Sequence, residues 1–407
     1  MSATIRWGAW FEDSELTLDF PAGYEVLACP PADGPDIGDG GIAAAFASPI
    51  GTPRLAEIAR GRHRPVIVID DLSRPTPGSR LIPPILDELA AAGIPASDVL
   101  ILAGVANHRP MQRADFLKKI GPDVLARCRV SNHFSWDNCT LIGTTSFGSP
   151  VEVNNEFLAC DLRILVGSII PHAAAGFAGG AKLLMPGVSS IRSAEAYHRG
   201  SALRGGYGLE APDARLESEE AARMAGVDFI VNGIPNSRLG LAGVVTGHVV
   251  EAHRAGTAIA RRVFATPTPP ESDICVLSLY PKDSEFLQHL TAFAPHVTAE
   301  THIVRGGGTF VVVVSGEEGL GSHSLFGPGM RLAAPRPTRI RGRDVIFFAP
   351  RTTPGMLPPT MDGTVLLPTW AETIAWLERK HGPQASVAVY PCATMQLSAE
   401  SAATSAD

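Results

Sequence analysis

Three histidines and one lysine occupy positions where they could carry out chemistry together. His172, Lys182 and His198 lie in one glycine-rich stretch, and His108 lies in a separate loop earlier in the chain. Imidazole binds nickel, zinc, copper and iron, and it also exchanges protons near neutral pH. The residue types alone therefore leave metal binding and acid–base catalysis both open.

The elements that must position these residues have the pattern of buried parallel strands. Residues 65–70 (PVIVID) and 98–105 (DVLILAGV) are apolar runs, and the helical pattern of residues 81–94 joins them. This order predicts an α/β fold with a largely parallel sheet, in which ligands gather beyond the carboxyl ends of the strands.

Loops that carry polar side chains follow three apolar runs, namely the two above and residues 162–170 (LRILVGSII). These loops are residues 71–77 (DLSRPTP), 106–111 (ANHRPM) and 171–190 (PHAAAGFAGGAKLLMPGVSS). Proline and glycine directly after each run favour sharp exits from the strands, as expected of loops that form a site. We therefore expect one site assembled from three strand ends.

The length of 407 residues predicts two domains. A proline-rich segment near residue 269 and a new series of apolar runs place the boundary there. We predict an N-terminal α/β domain (1–268) that carries the motifs, a C-terminal α/β domain (269–395) that closes the cleft, and a flexible tail (396–407). The active site is expected in the cleft between the domains.

Composition favours a small-molecule substrate. The net charge of -7 gives no general attraction to nucleic acid or to an anionic membrane. The six cysteines form no C-x-x-C pair, and the first twenty residues lack the apolar core of a signal peptide. A cytoplasmic protein is expected, and the uncharged residues 164–181 are interpreted as a strand and a loop, not as a membrane span.

Common nucleotide and hydrolase motifs do not match. Residues 176–182 (GFAGGAK) superficially resemble a phosphate loop, but Ala181 and Leu183 stand where that motif requires glycine and a hydroxyl residue. No G-x-G-x-x-G follows an early strand, and no G-x-S-x-G is present.

Four pieces of the sequence resemble the nickel-dependent lactate racemase family in order and spacing. They are DDLSRPTP (70–77), NHRPM (107–111), the glycine-rich residues 171–190 and His198, and the resemblance extends from about Pro49 to Leu290. It implies that Lys182 binds a pyridinium-3,5-bisthiocarboxylic acid mononucleotide, the nickel-pincer nucleotide, covalently. It also implies that His198 is the protein ligand to nickel, and that cofactor-biosynthesis enzymes act as maturation partners.

The same resemblance assigns His108 and His172 as paired acid/base residues on opposite faces of the substrate carbon. The implied function is a racemase or epimerase of a 2-hydroxyacid. Hydride passes to and from the tethered nucleotide, and the substrate passes through a bound 2-oxoacid.

Further positions match the substrate side of the family. Asp71 and Arg74 lie near substrate and catalytic groups, where the arginine could hold a carboxylate and Asp71 could equally orient a histidine. Gln288 matches a substrate-side glutamine, but Thr291 stands where lactate-specific members usually have a lysine. The resemblance therefore predicts a 2-hydroxyacid other than lactate.

Two of the strand-end loops have further features. Ala106 and Asn107 replace the usual Gly-Thr before the first catalytic histidine. Ser73 and Thr76 are interpreted as caps of a helix that begins near Arg80.

Two other functions stay open from the residues. A non-catalytic protein could hold nickel or the nucleotide through Lys182 and His198. A zinc hydrolase could use His108, His172 and His198 as three ligands.

Overall fold

The computed structural model describes residues 1–326 and 334–400. By residue contacts the chain divides into two units. We call Gly34–Val263 the central unit, and Met1–Asp33 together with the chain from Phe264 the terminal unit.

The strands and helices are numbered in chain order. The strands are β1 (Ser2–Trp7), β2 (Ser14–Asp19), β3 (Tyr24–Ala28), β4 (Pro65–Ile69), β5 (Leu100–Ala103), β6 (Arg129–Asn132), β7 (Cys139–Thr144), β8 (Pro150–Asn154), β9 (Leu162–Ser168), β10 (Pro171–His172), β11 (Gly176–Phe177), β12 (Phe229–Pro235), β13 (Leu241–Gly247), β14 (Ala265–Thr266), β15 (Ser272–Ser278), β16 (Val304–Val313), β17 (Asp344–Phe348), β18 (Val365–Leu367), β19 (Ala385–Tyr390) and β20 (Leu397–Ser398). The α-helices are α1 (Gly38–Ala47), α2 (Leu55–Ile58), α3 (Gly78–Ala91), α4 (Arg113–Arg127), α5 (Asn155–Leu158), α6 (Ile191–Arg199), α7 (Asp213–Met224), α8 (Glu251–Phe264), α9 (Ala294–Thr298) and α10 (Trp370–His381).

The central unit is built on a six-stranded sheet in the order β13-β12-β9-β4-β5-β6. Its neighbouring strands are parallel except for β12 and β13. Successive side chains of a strand point to opposite faces, so Ile67 packs with α1 to α4 while Val66 packs with the helices α5 to α8. Burial on both faces explains the uninterrupted apolar runs of these strands.

The terminal unit contains a second parallel sheet, in the order β18-β17-β16-β15-β19-β3. Ile274 and Val276 face a core shared with α10, whereas Cys275 and Leu277 face a core shared with Phe286. The prediction of an α/β fold with largely parallel sheets is confirmed.

The contact units differ from the predicted domains at both ends of the chain. β3 hydrogen-bonds along β19, from the pair Tyr24 and Ala385 to the pair Ala28 and Val389, so residues 1–33 group with the terminal unit. The predicted tail begins with ordered chain, because β20 pairs with β14. The rest of that tail, from residue 401, lies outside the described residues. The change of unit at 263/264 lies close to the predicted 268/269.

The topology brings three strand ends to one edge of the central sheet. β9, β4 and β5 are adjacent and parallel, so their carboxyl ends lie side by side. Residues 164–168 of the long uncharged stretch belong to β9. Across the described ranges, no helix is long and apolar enough to cross a membrane.

Candidate active site

Asp71, at the end of β4, hydrogen-bonds the imidazole of His108. The Nδ1 of His108 lies 2.7 Å from Oδ2 of Asp71, while Oδ1 of Asp71 accepts the backbone N–H of Ser73 at 2.8 Å and the Ser73 hydroxyl. Burial disfavours the carboxylate, but the interaction with His108 and the charge of Arg74 lower the pKa of Asp71 below its usual range. Asp71 is therefore ionised and accepts the Nδ1 proton, which leaves Nε2 of a neutral His108 as a base.

Ser73 and Thr76 do not cap the following helix, contrary to the sequence-based interpretation. The N-cap of α3 is Pro77, and no side chain caps it. Ser73 Oγ lies 3.2 Å from His108 Nδ1 and accepts from Arg74 Nη1 at 2.8 Å, whereas Thr76 Oγ1 lies 2.8 Å from the hydroxyl of Ser168. Both hydroxyls hold the loop together instead.

Lys119 of α4 contacts this loop. Its side chain is fully buried, and Nζ lies 2.6 Å from Oδ1 of Asp70. The same ammonium donates to the backbone carbonyls of Asp71 and Arg74, each at 2.8 Å. One cation thus binds three oxygens of a single strand-end loop.

Arg215 and His253 hydrogen-bond the backbone of the loop that carries Lys182. The buried guanidinium of Arg215 donates to the carbonyls of Phe177 and Gly179, and Nε2 of His253 lies 2.9 Å from the carbonyl of Ala178. Gly180 has a φ of +57°, and a Cβ there would lie 2.8 Å from His253. Glycine is therefore required at position 180 for both backbone conformation and packing.

Lys182 itself lies in a short 3-10 helix (Gly180–Leu183), and its amine lies 3.4 Å from the hydroxyl of Tyr197. Burial lowers the pKa of this amine well below its ordinary value, and the positive charges of Arg215 and Arg74 lower it further. A neutral amine has the lone pair that covalent attachment of a ligand requires.

His198, in the last turn of α6, is held as a neutral imidazole. Its Nδ1 lies 2.6 Å from the carbonyl of Ala194, one turn earlier. Burial lowers the pKa of His198 to about 4, and the hydrogen bond to the Ala194 carbonyl opposes this shift. Donation from Nδ1 to a carbonyl leaves Nε2 as the metal-binding nitrogen, the arrangement common among metal-binding histidines.

His172 lies in β10, on the hairpin that leads into the Lys182 loop. Its Nδ1 accepts the backbone N–H groups of Ala174 at 3.1 Å and Ala175 at 3.3 Å. A neutral His172 must therefore carry its proton on Nε2. The partners of the two catalytic candidates thus select opposite tautomers, with Nε2 a base in His108 and a donor in His172.

Burial separates the side chains that could react from those that support them. The half-buried group consists of Arg74, His108, His172, Lys182 and His198. The supporting side chains Asp71, Ser73, Lys119 and Arg215 are buried. Electrostatic coupling links His198 to both Lys182 and His108, and links Lys182 to Arg74, so these residues from three strand ends form one cluster.

A three-ligand metal site is not formed by these histidines. Among the described residues, no group of three or more His, Cys, Asp or Glu side chains is arranged to hold a metal ion. The arrangement therefore counts against a zinc hydrolase that uses His108, His172 and His198 together.

Gln288 and Thr291 belong to the terminal unit, where both lie in a 3-10 helix (Phe286–Phe293) and are half-buried. The hydroxyl of Thr291 donates to the carbonyl of Gln288 at 2.8 Å. This hydroxyl is therefore engaged within its own helix.

The sequence is similar to those of known lactate racemases. Residues 11–206 match the lactate racemase N-terminal domain family. The chain is 29% identical over 290 residues to the lactate racemase of Thermoanaerobacterium thermosaccharolyticum, an alignment that covers 69% of this chain and 67% of that protein. It is also 29% identical over 293 residues to the lactate racemase of Lactiplantibacillus plantarum, covering 69% of this chain and 66% of that protein.

The chain is related to the lactate racemases.

Solved structures agree on the fold. The lactate racemase apoprotein of T. thermosaccharolyticum superposes with a TM-score of 0.75 at 22% identity, covering 97% of this chain and all (100%) of that one. A Thermotoga maritima protein of known crystal structure matches with a TM-score of 0.61 at 14% identity, covering 84% of this chain and 96% of that one. At these identities the likeness concerns the fold alone.

Sequence reasoning missed several supporting residues. The contact of Ser73 with the site could have been predicted, because Ser73 lies inside the DLSRPTP motif (71–77). Lys119, Tyr197 and Arg215 carried no local signal, because each contacts its partner across 15 or more residues of chain.

Proposed function

We propose that this protein is a racemase or epimerase of a 2-hydroxyacid, with His108 and His172 as its acid/base residues. The observation that carries this proposal is the Asp71–His108 pair beside Lys182 and His198. A storage or delivery protein would need Lys182 and His198, but it would have no use for an oriented base next to them.

The residues fit a nickel-pincer nucleotide, a cofactor that the relationship supports. The lowered pKa of the Lys182 amine favours covalent attachment, and Nε2 of His198 suits a single protein bond to nickel. Only one protein ligand is needed when the nucleotide supplies the remaining donors. When bound, the nucleotide would accept hydride from the α-carbon of the substrate and return it to either face.

The protein's own groups would manage the hydroxyl proton and the carboxylate. Nε2 of His108 takes the hydroxyl proton, and Asp71 stabilises the imidazolium that results. The Nε2–H of His172 would donate a hydrogen bond to the substrate oxygen, and the His108 imidazolium would return its proton to that oxygen when hydride returns to the carbon. The Arg74 guanidinium would orient the substrate carboxylate.

The preferred substrate is proposed to be a 2-hydroxyacid other than lactate. Thr291 supplies no cation where lactate-specific members usually have a lysine, and its hydroxyl is engaged by the Gln288 carbonyl. Gln288 is proposed to contact the substrate. A panel of 2-hydroxyacids with aromatic, acidic or polyhydroxy side chains, compared with lactate by chiral chromatography, tests this preference.

The covalent attachment is tested by intact mass spectrometry of protein produced together with the nickel-cofactor biosynthetic enzymes. We expect a nucleotide-sized adduct that maps to Lys182 and is absent in Lys182→Arg, which keeps a long basic side chain but lacks the primary amine that would attach the nucleotide. An unmodified Lys182, under conditions that load a lactate racemase, would reject this cofactor.

The catalytic roles are tested separately. His108→Asn and His172→Asn should each abolish turnover and leave the adduct on Lys182 intact. Full turnover in both variants would exclude the acid/base assignment and favour a binding protein.

A further inference from the structure

We propose that Lys119 is a positioning residue of the active site. Its buried ammonium fixes the backbone of Asp71 and Arg74, and thereby the orientation of the His108 base and of the Arg74 guanidinium. The inference rests on the proposed racemase function of the same site.

The first support is the number and placement of its contacts. Nζ of Lys119 donates hydrogen bonds to the carbonyls of Asp71 and Arg74, each at 2.8 Å, and forms an ion pair with Oδ1 of Asp70 at 2.6 Å. All three oxygens belong to the loop after β4.

The second support is a hydrogen-bond network that extends beyond the Lys119–Asp70 ion pair. The other carboxylate oxygen of Asp70 accepts a hydrogen bond from the hydroxyl of Thr76 at 2.5 Å. Thr76 in turn contacts Ser168 at the end of β9. The network therefore ties both ends of residues 70–76 to the sheet and to α4.

The third support is which residues receive the backbone bonds. The side chain of Asp71 orients His108, and the charge of Arg74 acts on both Asp71 and Lys182. Lys119 donates to the backbone carbonyls of both residues, so it constrains the backbone from which both side chains extend. A displacement of about 1 Å in such groups costs on the order of 100-fold in rate.

The test compares Lys119→Met with Lys118→Met. The two lysines are neighbours on α4, but Lys119 is fully buried whereas Lys118 is half-buried, so the control removes the same charge from the same helix. Hydrogen exchange of peptides that span residues 70–80 and steady-state kinetics are measured on both variants.

In Lys119→Met we expect faster exchange in residues 70–80, a KM raised about tenfold and a kcat lowered on the order of 10-fold or more. Lys118→Met should match the wild type in all three. A lower kcat with unchanged KM and unchanged exchange indicates only a smaller folded fraction and overturns the proposal, as do wild-type values throughout.

A second variant guards against failure to fold. Lys119→Met combined with Asp70→Asn removes both members of the buried pair and leaves no unpaired charge, which proteins tolerate better than loss of one partner. This double variant should show the same rise in KM as Lys119→Met alone. In an Arg74→Ala background, Lys119→Met should raise KM no further, because both changes act on the same group, whereas full additivity overturns the proposal.

Failure of the racemase proposal is distinguishable. If the loaded wild type racemises no 2-hydroxyacid, the proposed function is wrong, and hydrogen exchange alone decides whether Lys119 fixes the loop. Unchanged exchange in Lys119→Met then overturns that role as well.

Discussion

At the scale of single residues, the two oxygens of Asp71 have different tasks. Oδ1 receives two donors from Ser73, and Oδ2 receives the His108 imidazole. This division determines which nitrogen of His108 carries the proton.

Asp71→Asn should reverse the tautomer of His108 with little change in shape. The amide oxygen will face the two Ser73 donors, so its NH2 group will face Nδ1 and drive the proton to Nε2. We expect kcat/KM to fall on the order of 10²- to 10⁴-fold. Ser73→Ala, which leaves the acceptor in place, should cost far less, and equal losses in the two variants would contradict this account.

His198→Ala should separate metal binding from nucleotide attachment. The adduct should still form on Lys182, whereas nickel retention should fall well below one equivalent per chain because the one proposed protein donor is lost. Elemental analysis after desalting, paired with intact mass, measures both quantities. His63→Ala, in an exposed loop of the same unit, is the control. Full nickel content in His198→Ala would remove this residue from the metal site.

At the scale of elements, the loop after β5 contains local strain. Ala106 has a φ of +51°, a conformation that suits glycine, directly before Asn107 and His108. Its N–H donates to the carbonyl of Gly187 at 3.0 Å, which holds it in place. The alanine therefore costs stability at a position where the resembling family usually has glycine.

Ala106→Gly should relieve this strain. The left-handed conformation costs alanine about 1–2 kcal/mol, and the extra freedom of glycine in the unfolded chain costs about 0.5–1 kcal/mol, so a net gain of about 0.5–1 kcal/mol is expected. Urea unfolding measures the change. Ala90→Gly, on the exposed side of α3, should instead lose about 1 kcal/mol. Destabilisation of both variants to the same extent would rule out strain at position 106.

At the scale of the whole molecule, the chain forms two units that each contain a parallel sheet, and its first residues are built into the terminal one. Asp283 contributes to this by accepting the N–H groups of Gly8 at 2.8 Å and Ala9 at 3.3 Å. Burial raises the pKa of Asp283 to about 7; the Gly8 bond opposes this, and the neighbouring Glu317 carboxylate adds to it.

This shift gives stability a definite pH dependence. The folded chain binds the Asp283 proton more tightly than the unfolded chain, so the contribution is complete below about pH 4 and is lost as pH rises through about 7. The shift corresponds to about 4 kcal/mol. Urea unfolding at pH 5 and pH 8 should show a difference that Asp283→Asn reduces, because the amide cannot ionise. An equal pH dependence in both proteins would exclude Asp283 as its source.

The sequence by itself predicted the fold class, which the structure confirms, and it supplied the proposal of which residues could react. Uninterrupted apolar runs indicate strands that are buried on both faces of a parallel sheet. The four candidate residues lie in or next to short sequence motifs, namely His108, His172, Lys182 and His198. These features depend on neighbours along the chain, so they are readable without a structure.

Only the tertiary structure decided which groups orient the reactive ones. Lys119 reaches the carbonyls of Asp71 and Arg74 across 48 and 45 residues, and Arg215 reaches the loop before Lys182 across 36. The opposite tautomers of His108 and His172 follow from a carboxylate on one ring and backbone amides on the other. The pairing of β3 with β19, which places the first residues in the terminal unit, is likewise a contact between distant segments. Such contacts leave no periodic pattern in the sequence, because they depend on how the sheets bring separate loops and strands together.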